Sequence, residues 1–379
     1  MRALLVEPDY YARYPPLGLL KIATYHRLLG DEVYFVRGCS IQTDLPTPDV
    51  IYVTSLFTYA WRPVRNAIAH YRGLFPGARI LLGGIYASLL PDHARLLGAD
   101  EVHVDLKREL EDLVPSWDLI PDWDGSIMFA SRGCIRKCGF CSVPKLEGPP
   151  TDLRTRIQKL IYPRHSRVIL WDNNILGNDI WEPIFDELAM LDLEVDFNQG
   201  LDARRVTPQV AKKLALLKTH SIRMAYDYPG VGPFVKKAVD ILAAEGISRR
   251  KIVVYTLYNY VDDPENFKDR VTELANWGVT SYPMRFEPLT TLTKNAWVSP
   301  NWSEEELQIV AAARRVLGYA GAFPPYDALK KKLVRATNFR EGFRLNRPGT
   351  FRHGATRRRN PRYAGPLDWY SYVSRAHRS

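Results

Sequence analysis

The chain has 379 residues, 46% hydrophobic and 25% charged, which is enough apolar material for more than one buried core and too much for an intrinsically disordered chain. Its formal charge of +10 is gathered at one end, because from Arg335 onward there are eleven Arg, no Lys and only two acids, Glu341 and Asp368. No stretch reaches the roughly 18–20 apolar residues of a membrane span, Met1–Pro8 is too soon interrupted for a secretory leader, and four cysteines with three clustered argue against a secreted disulfide scaffold, so a cytoplasmic protein is expected. The first 115 residues alternate short β-branched or aromatic runs with segments of helical spacing. Strands are predicted at Ala3–Glu7, Glu32–Arg37, Val50–Ser55, Arg79–Leu82 and Glu101–Val104, and helices at Leu17–Leu29 and Pro63–Leu74. Such alternation predicts a parallel sheet with helices on both faces, and ligands of such sheets sit beyond the carboxyl ends of the strands. Candidates there are Glu7-Pro8, Ser55 and Gly83-Gly84, a pair that allows either a close backbone approach or a simple tight turn. Cys39 stands alone after a strand and reads as a packed thiol.

Residues 116–125 read as a linker in which Trp117 and Trp123 pack the flanking domains together. Ile127–Ala130 is then a strand aimed at Gly133-Cys134-Ile135-Arg136-Lys137-Cys138-Gly139-Phe140-Cys141. Three thiols within eight residues converge on a metal centre more easily than on a disulfide network, and soft thiolates select zinc or an iron–sulfur cluster. A structural zinc or an electron-transfer cluster has four protein ligands, whereas three on a cubane leave one iron open for a substrate. Further strands are predicted at Val168–Trp171, Glu194–Asn198, Ser221–Tyr226, Lys251–Leu257 and Thr280–Arg285, with helices at Trp181–Leu191, Pro208–Lys218, Val231–Glu245 and Pro264–Trp277. Reactive groups in barrels sit at the carboxyl ends of strands. That rule selects Asp172 and Asn173, Gln199, Asp227, Tyr255 and Asn259, and Arg285. Ser303-Glu304-Glu305-Glu306 opens one more helix with a capping box, running to about Leu317, and the remainder has little periodicity and reads as a partly ordered extension.

The cysteine segment resembles the cluster motif of the radical S-adenosylmethionine (SAM) enzymes, C-x3-C-x-aromatic-C, with Phe140 in the aromatic position. The resemblance implies that Cys134, Cys138 and Cys141 hold a [4Fe-4S] cluster and that SAM takes the fourth iron through its amino and carboxylate groups. It further implies an external one-electron reductant, cleavage of SAM to a 5′-deoxyadenosyl radical, and Phe140 packed near the adenine. The six strands from Ile127 onward resemble the partial (βα)6 barrel of that family. By that likeness Asp172 and Asn173 would meet the amino end of SAM, where the family has a Gly-Gly-Glu-like segment that is replaced here. Gln199 joins them by its polar strand-end position, Asp227 would hold ribose hydroxyls or a substrate amine, and the segment from Tyr255 through Asn259 would contact adenine. Arg285 would grip a carboxylate of SAM or of the substrate, with Glu287 as the alternative partner.

The preceding residues resemble the cobalamin-binding domain found before many radical SAM cores, on Pro15-Pro16-Leu17-Gly18-Leu19-Leu20, Gly30-Asp31-Glu32-Val33 and Leu82-Gly83-Gly84. Two departures stand against the cofactor. The Asp-x-His-x-x-Gly that ligates cobalt is absent, since Pro8-Asp9-Tyr10-Tyr11-Ala12-Arg13 has no His, and the acidic Gly-Glu pair after the last strand is replaced by Val104-Asp105-Leu106-Lys107-Arg108. Cobalamin either binds without a protein imidazole or has been lost. The expected fold class is therefore α/β: a Rossmann-like parallel sheet over 1–115, the linker 116–125, a partial (βα)6 radical SAM barrel over 126–295, and a C-terminal helix with an Arg-rich extension over 296–379. The expected function is a radical SAM enzyme acting on an unactivated C–H bond or sp2 carbon, by methyl transfer if cobalamin is present. A second class is a zinc-containing nucleic-acid-binding protein whose Arg352, Arg357-Arg358-Arg359 and Arg362 contact phosphates, and a third is a cofactor carrier with a purely structural core. No phosphate loop, serine nucleophile elbow or zinc-protease helix is present, and no motif names the substrate.

Overall fold

The computed structural model describes residues 1–40 and 45–345. They form two compact units: Met1–Leu193 with Glu287–Trp297, and Glu194–Phe286 with the described residues from Val298 onward. Residues 116–125 lie inside the first unit. Arg352, Arg357, Arg358, Arg359 and Arg362 lie outside the described residues.

The first unit begins with β1 (Arg2–Glu7), α1 (Leu17–Leu28), β2 (Glu32–Arg37), β3 (Val50–Ser55), α2 (Trp61–Leu74), β4 (Arg79–Gly84), two short helices α3 (Ile85–Leu89) and α4 (Pro91–Arg95), and β5 (Glu101–Val102). All five strands are parallel in the order β2-β1-β3-β4-β5. Alternation along β1 makes two cores. Leu4 and Val6 join Ile51 and Val53 beneath Val64, Ala67, Ile68 and Tyr71 of α2, while Leu5 turns to Leu19 and Ala23 of α1. The strand order reverses between β1 and β3, the place where open parallel sheets form a crevice.

The same unit continues with β6 (Ser126–Met128), β7 (Ser131–Arg132), α5 (Val143–Leu146), β8 (Thr151–Asp152), β9 (Arg167–Leu170) and α6 (Trp181–Leu191). β6 runs parallel to β9, with Ile127 opposite Ile169. β7 and β8 form a two-residue antiparallel ladder, Ser131 opposite Asp152 and Arg132 opposite Thr151. Trp117, 1% exposed, is buried among Leu17 and Leu20 of α1, Ile127, Phe129 and Ile169, so the apolar face of α1 and the strands beside the cysteine segment share one core.

The second unit comprises β10 (Glu194–Phe197), α7 (Pro208–Ala215), β11 (Lys218–Thr219), β12 (Ile222–Ala225), α8 (Gly232–Ala244), β13 (Ile252–Tyr258), α9 (Pro264–Asn276), β14 (Thr280–Arg285), α10 (Glu304–Val316), α11 (Asp327–Arg335) and α12 (Phe339–Phe343). β10 pairs with β11, and β12, β13 and β14 form a parallel sheet in that order. Two helix starts follow directly from sequence: Thr207 caps α7 and Asp263 caps α9, each followed by Pro in the first turn. The expectation of one helix followed by a partly ordered extension is corrected for residues 318–345. α11 and α12 pack Leu329, Leu333, Phe339 and Phe343 against Phe267 and Val271 of α9 and Val310 and Ala313 of α10. Among the described residues no helix is long and apolar enough to cross a membrane.

Candidate cluster loop and strand-end residues

Residues 133–150 leave the β7–β8 ladder as a loop closed at its neck. Gly133 has φ +75°, and a Cβ there would lie 2.2 Å from the Pro149 carbonyl oxygen, so only glycine fits. The Gly133 amide donates to Glu147 Oε2 at 2.9 Å and the Cys134 amide to the Gly148 carbonyl at 3.4 Å. Within the loop a turn is held by the Cys141 amide on the Cys138 carbonyl at 3.0 Å. All three thiols and Phe140 are half-buried. Cys134 Sγ accepts from the Arg136 amide at 3.3 Å and from Asn174 Nδ2 at 3.6 Å, donors of the kind that stabilise a thiolate ligand.

The donor set fits a [4Fe-4S] cluster: three thiols on one closed loop, with N–H groups turned to a sulfur. Among the described residues no three His, Cys, Asp or Glu are gathered to hold one metal ion.

Asp172 and Asn173 follow β9, and both side chains turn to the chain itself. Asp172, 3% exposed, accepts from the Ala130 amide at 3.0 Å, the Ser131 amide at 2.5 Å and Ser131 Oγ at 2.7 Å. Burial pushes its carboxyl up to about 6 despite those donors. Asn173 Nδ2 donates to Glu147 Oε2 at 2.8 Å. The Asp-Asn-Asn run thus ties the end of β9 to the entry, neck and first cysteine of the loop.

At the carboxyl edge of the five-stranded sheet, Ser55 Oγ donates to the Gly83 carbonyl at 2.7 Å and accepts from the Ala87 amide at 3.2 Å. Gly84 has φ +103°, and a Cβ there would stand 2.1 Å from the Ser55 carbonyl oxygen. The close approach that this glycine permits is to β3. Gly83 has no such constraint, its nearest neighbour being His103 Cβ at 3.9 Å. His103 was not anticipated; burial holds its imidazole below the usual range.

In the second unit Asp227, at the end of β12, is half-buried, and desolvation pushes its carboxyl up to about 6 against the pull of Arg270 and Arg204. Gln199 is exposed beside Asn198. Tyr255 is half-buried and meets Tyr282 edge-on at 5.6 Å. Arg285 is half-buried at the end of β14, opposite Tyr258. Asn259 is fully buried at φ +66°, donates to the Phe286 carbonyl at 3.3 Å and accepts from the Ser299 amide at 2.9 Å, so its amide clamps the exits of β13 and β14.

Sequence reasoning missed the charged groups that hold these ends. Arg270 of α9, 1% exposed, donates to the Tyr226 and Leu257 carbonyls at 2.7 and 2.8 Å and to Asp262 at 2.5 Å. Glu147, Arg132, Glu111 and Lys21 do the same for the loop in the first unit. Their partners lie far apart in sequence, and no local pattern marks them.

No family model matches the chain. The ribosomal protein uS12 methylthiotransferase RimO of Chlorobium phaeovibrioides is 25% identical over 160 residues, 41% of this chain and 30% of that protein. The match therefore spans less than a third of the relative's length. Coproporphyrinogen III oxidase (HemN) of Escherichia coli, solved as a radical SAM enzyme, superposes on 55% of this chain and 57% of its own at 14% identity and a TM-score of 0.37, too loosely to define a shared fold. The likeness to a methylthiotransferase over 160 residues accompanies a C-x3-C-x-Phe-C loop that resembles the radical SAM cluster motif.

Proposed function

We propose that the chain is a radical SAM enzyme that functionalises an unactivated C–H bond or sp2 carbon of a substrate, with Cys134, Cys138 and Cys141 as ligands of a [4Fe-4S] cluster. The closed cysteine loop with amide donors on Cys134 Sγ carries this reading. Bound there, the cluster supplies the electron, drawn from an external reductant, that cleaves SAM to methionine and a 5′-deoxyadenosyl radical. The chain's own residues bind and orient. Phe140 offers a ring face to adenine. Arg285 offers a guanidinium to a carboxylate, and Tyr255 an apolar wall. The raised carboxyl of Asp227 suits a ribose hydroxyl or a substrate amine, since it can accept or donate near neutrality. Asp172 and Asn173 contribute through the loop they hold. Gln199, exposed at its strand end with its amide donating to Asn198 Oδ1 at 3.4 Å, presents a polar group to a ligand.

Cobalamin-assisted methyl transfer is the second reading, favoured by the β2-β1-β3-β4-β5 order, which sets a ligand crevice at the ends of β1 and β3. Such a cofactor would sit by Ser55, Gly83 and Gly84 without an imidazole from the segment after β1. The domain division proposed is a cofactor-type sheet over 1–115, linker 116–125, core 126–295 and C-terminal region 296–379, with phosphate or nucleic-acid contact assigned to the Arg-rich end.

The test is anaerobic reconstitution with iron and sulfide, then dithionite and SAM, with and without cobalamin. Release of 5′-deoxyadenosine is expected, together with a Cys138→Ala variant that retains almost no iron and releases none. Wild-type iron content in Cys138→Ala would remove the ligand assignment. A colourless protein carrying stoichiometric zinc would favour the nucleic-acid-binding class.

A further inference from the structure

Glu147 receives three donors on two oxygens: Arg132 Nη1 at 3.0 Å on Oε1, and the Gly133 amide at 2.9 Å and Asn173 Nδ2 at 2.8 Å on Oε2. Every partner is a donor, so a carboxylate satisfies the site and an amide does not. Arg132 also donates through Nε and Nη2 to Glu111 Oε1, at 3.1 and 2.7 Å. Glu111 Oε2 faces Lys21 Nζ of α1 at 3.3 Å, and the same ammonium donates to the Glu111 carbonyl at 2.9 Å. Side-chain exposure is only 9% for Lys21 and Glu111, 11% for Arg132 and 12% for Glu147. Four charges alternate in sign, the buried Lys21 and Glu111 and the half-buried Arg132 and Glu147, from the first helix of the five-stranded sheet to the neck of the cysteine loop. Surface ion pairs hold little, but a largely desolvated chain in which two Arg132 N–H groups share one Glu111 oxygen fixes orientation.

We propose that Arg132 and Glu147 are positioning residues for the cysteine loop, and that the N-terminal sheet sets their orientation through Glu111 and Lys21. The sheet then has a task in this chain that needs no cofactor of its own: it is the fixed end of a brace. The loop's own secondary structure is slight: its ladder is two residues long and its single-turn helix α5 buries no side chain, so these ions act alongside the Cys134 amide on Gly148 and Asp172 on Ala130 and Ser131. The inference deepens the proposed function and rests on it only for the identity of what the thiols hold.

The experiment uses the full chain without iron. Amide hydrogen exchange of the peptide spanning Gly133 and Cys134 is compared in wild type, Glu147→Gln, Lys21→Met and the double variant. Alkylation of Cys134 is measured against exposed Cys39 as an internal reference. Glu147→Gln is expected to speed exchange at the neck about tenfold or more, with peptides of β1 and β3 unchanged, and to raise the Cys134-to-Cys39 alkylation ratio. Lys21→Met is expected to act in the same direction, with the double variant close to Glu147→Gln alone, because one chain is broken in both. Should Glu147→Gln fail to fold, Asn173→Ala removes a single donor from the same carboxylate and is read identically. An unchanged neck in the folded variants, or effects that simply add, overturns the proposal. After reconstitution, the electron paramagnetic resonance line shape of the reduced cluster should broaden in Glu147→Gln. Failure of wild type to take up a cluster would sink the enzyme reading and leave the brace standing on the exchange data.

Discussion

Asp172 joins two strands through a carboxylate that burial disfavours. Its folded value of about 6 lies above the ordinary 3.8, so the folded state holds the proton more tightly than the unfolded state. The stability it contributes is complete below pH 3.8, falls as pH rises toward 6, and is absent above that. The size of that fall is about 3 kcal/mol, by the conversion of 1.4 kcal/mol for each pH unit. Asp172→Asn removes the titration but turns an NH2 toward the Ala130 or Ser131 donors, which costs about 1–3 kcal/mol. Urea unfolding of the iron-free protein between pH 4 and 7.5 should give wild type a stability slope that Asp172→Asn lacks. Parallel curves for the two proteins would mean that Asp172 is ionised throughout, its three hydrogen bonds having outweighed desolvation. The same residue shows what a sequence can indicate about a site: a carboxylate after the strand that pairs with the one leading to the cysteines. It does not indicate direction. The side chain turns to Ala130 and Ser131 because β6 and β9 are adjacent, a pairing 42 residues apart in sequence.

At the scale of elements, helices α11 and α12 earn their place through aromatic packing. Phe343 is 1% exposed and lies 5.5 Å from both Phe267 and Phe323 and 5.3 Å from Phe339. Phe343→Ala should destabilise the protein by about 3–5 kcal/mol, seen as a lower urea midpoint. A variant indistinguishable from wild type would mean that α12 contributes nothing to this core. These helices were missed in the sequence for a physical reason. α11 presents Leu329 and Leu333 to the core across the run Lys330-Lys331-Lys332, and five-residue α12 is too short to show a period. The two-residue strands β7, β8 and β11 are invisible on the same grounds. The longer strands were legible because β-branched and aromatic runs ended in turn residues, and β1 to β4, β9, β10 and β12 to β14 all lie where those runs are. Of the candidate site, the close spacing of the three cysteines stands in the sequence itself. The neck was not, because Glu147, Arg132, Glu111 and Lys21 meet across separations of 15, 21 and 90 residues.

On the scale of the whole molecule, the charge is unevenly placed along the chain. Residues 346–379 contain eight Arg and one acid, so they carry about seven of the ten net positive charges, and they follow α12, the last helix among the described residues. A chain ending at Leu345 should keep its melting temperature and its SAM cleavage without substrate. It should also elute from heparin at markedly lower salt, since each phosphate-neutralising cation steepens the salt dependence of polyanion binding. A chain ending at Val334 is a different experiment, because it removes Phe339 and Phe343 from the aromatic core and should unfold at lower temperature. Comparing the two cuts therefore separates loss of polyanion contact from loss of fold. If the Leu345 chain binds heparin as tightly as the full chain, the basic end is not the polyanion contact, and Lys330, Lys331 and Arg335 of α11 become the residues to substitute. If that cut instead abolishes SAM cleavage while the melting temperature holds, residues beyond Leu345 help complete the active site, and substrate recognition should be sought there.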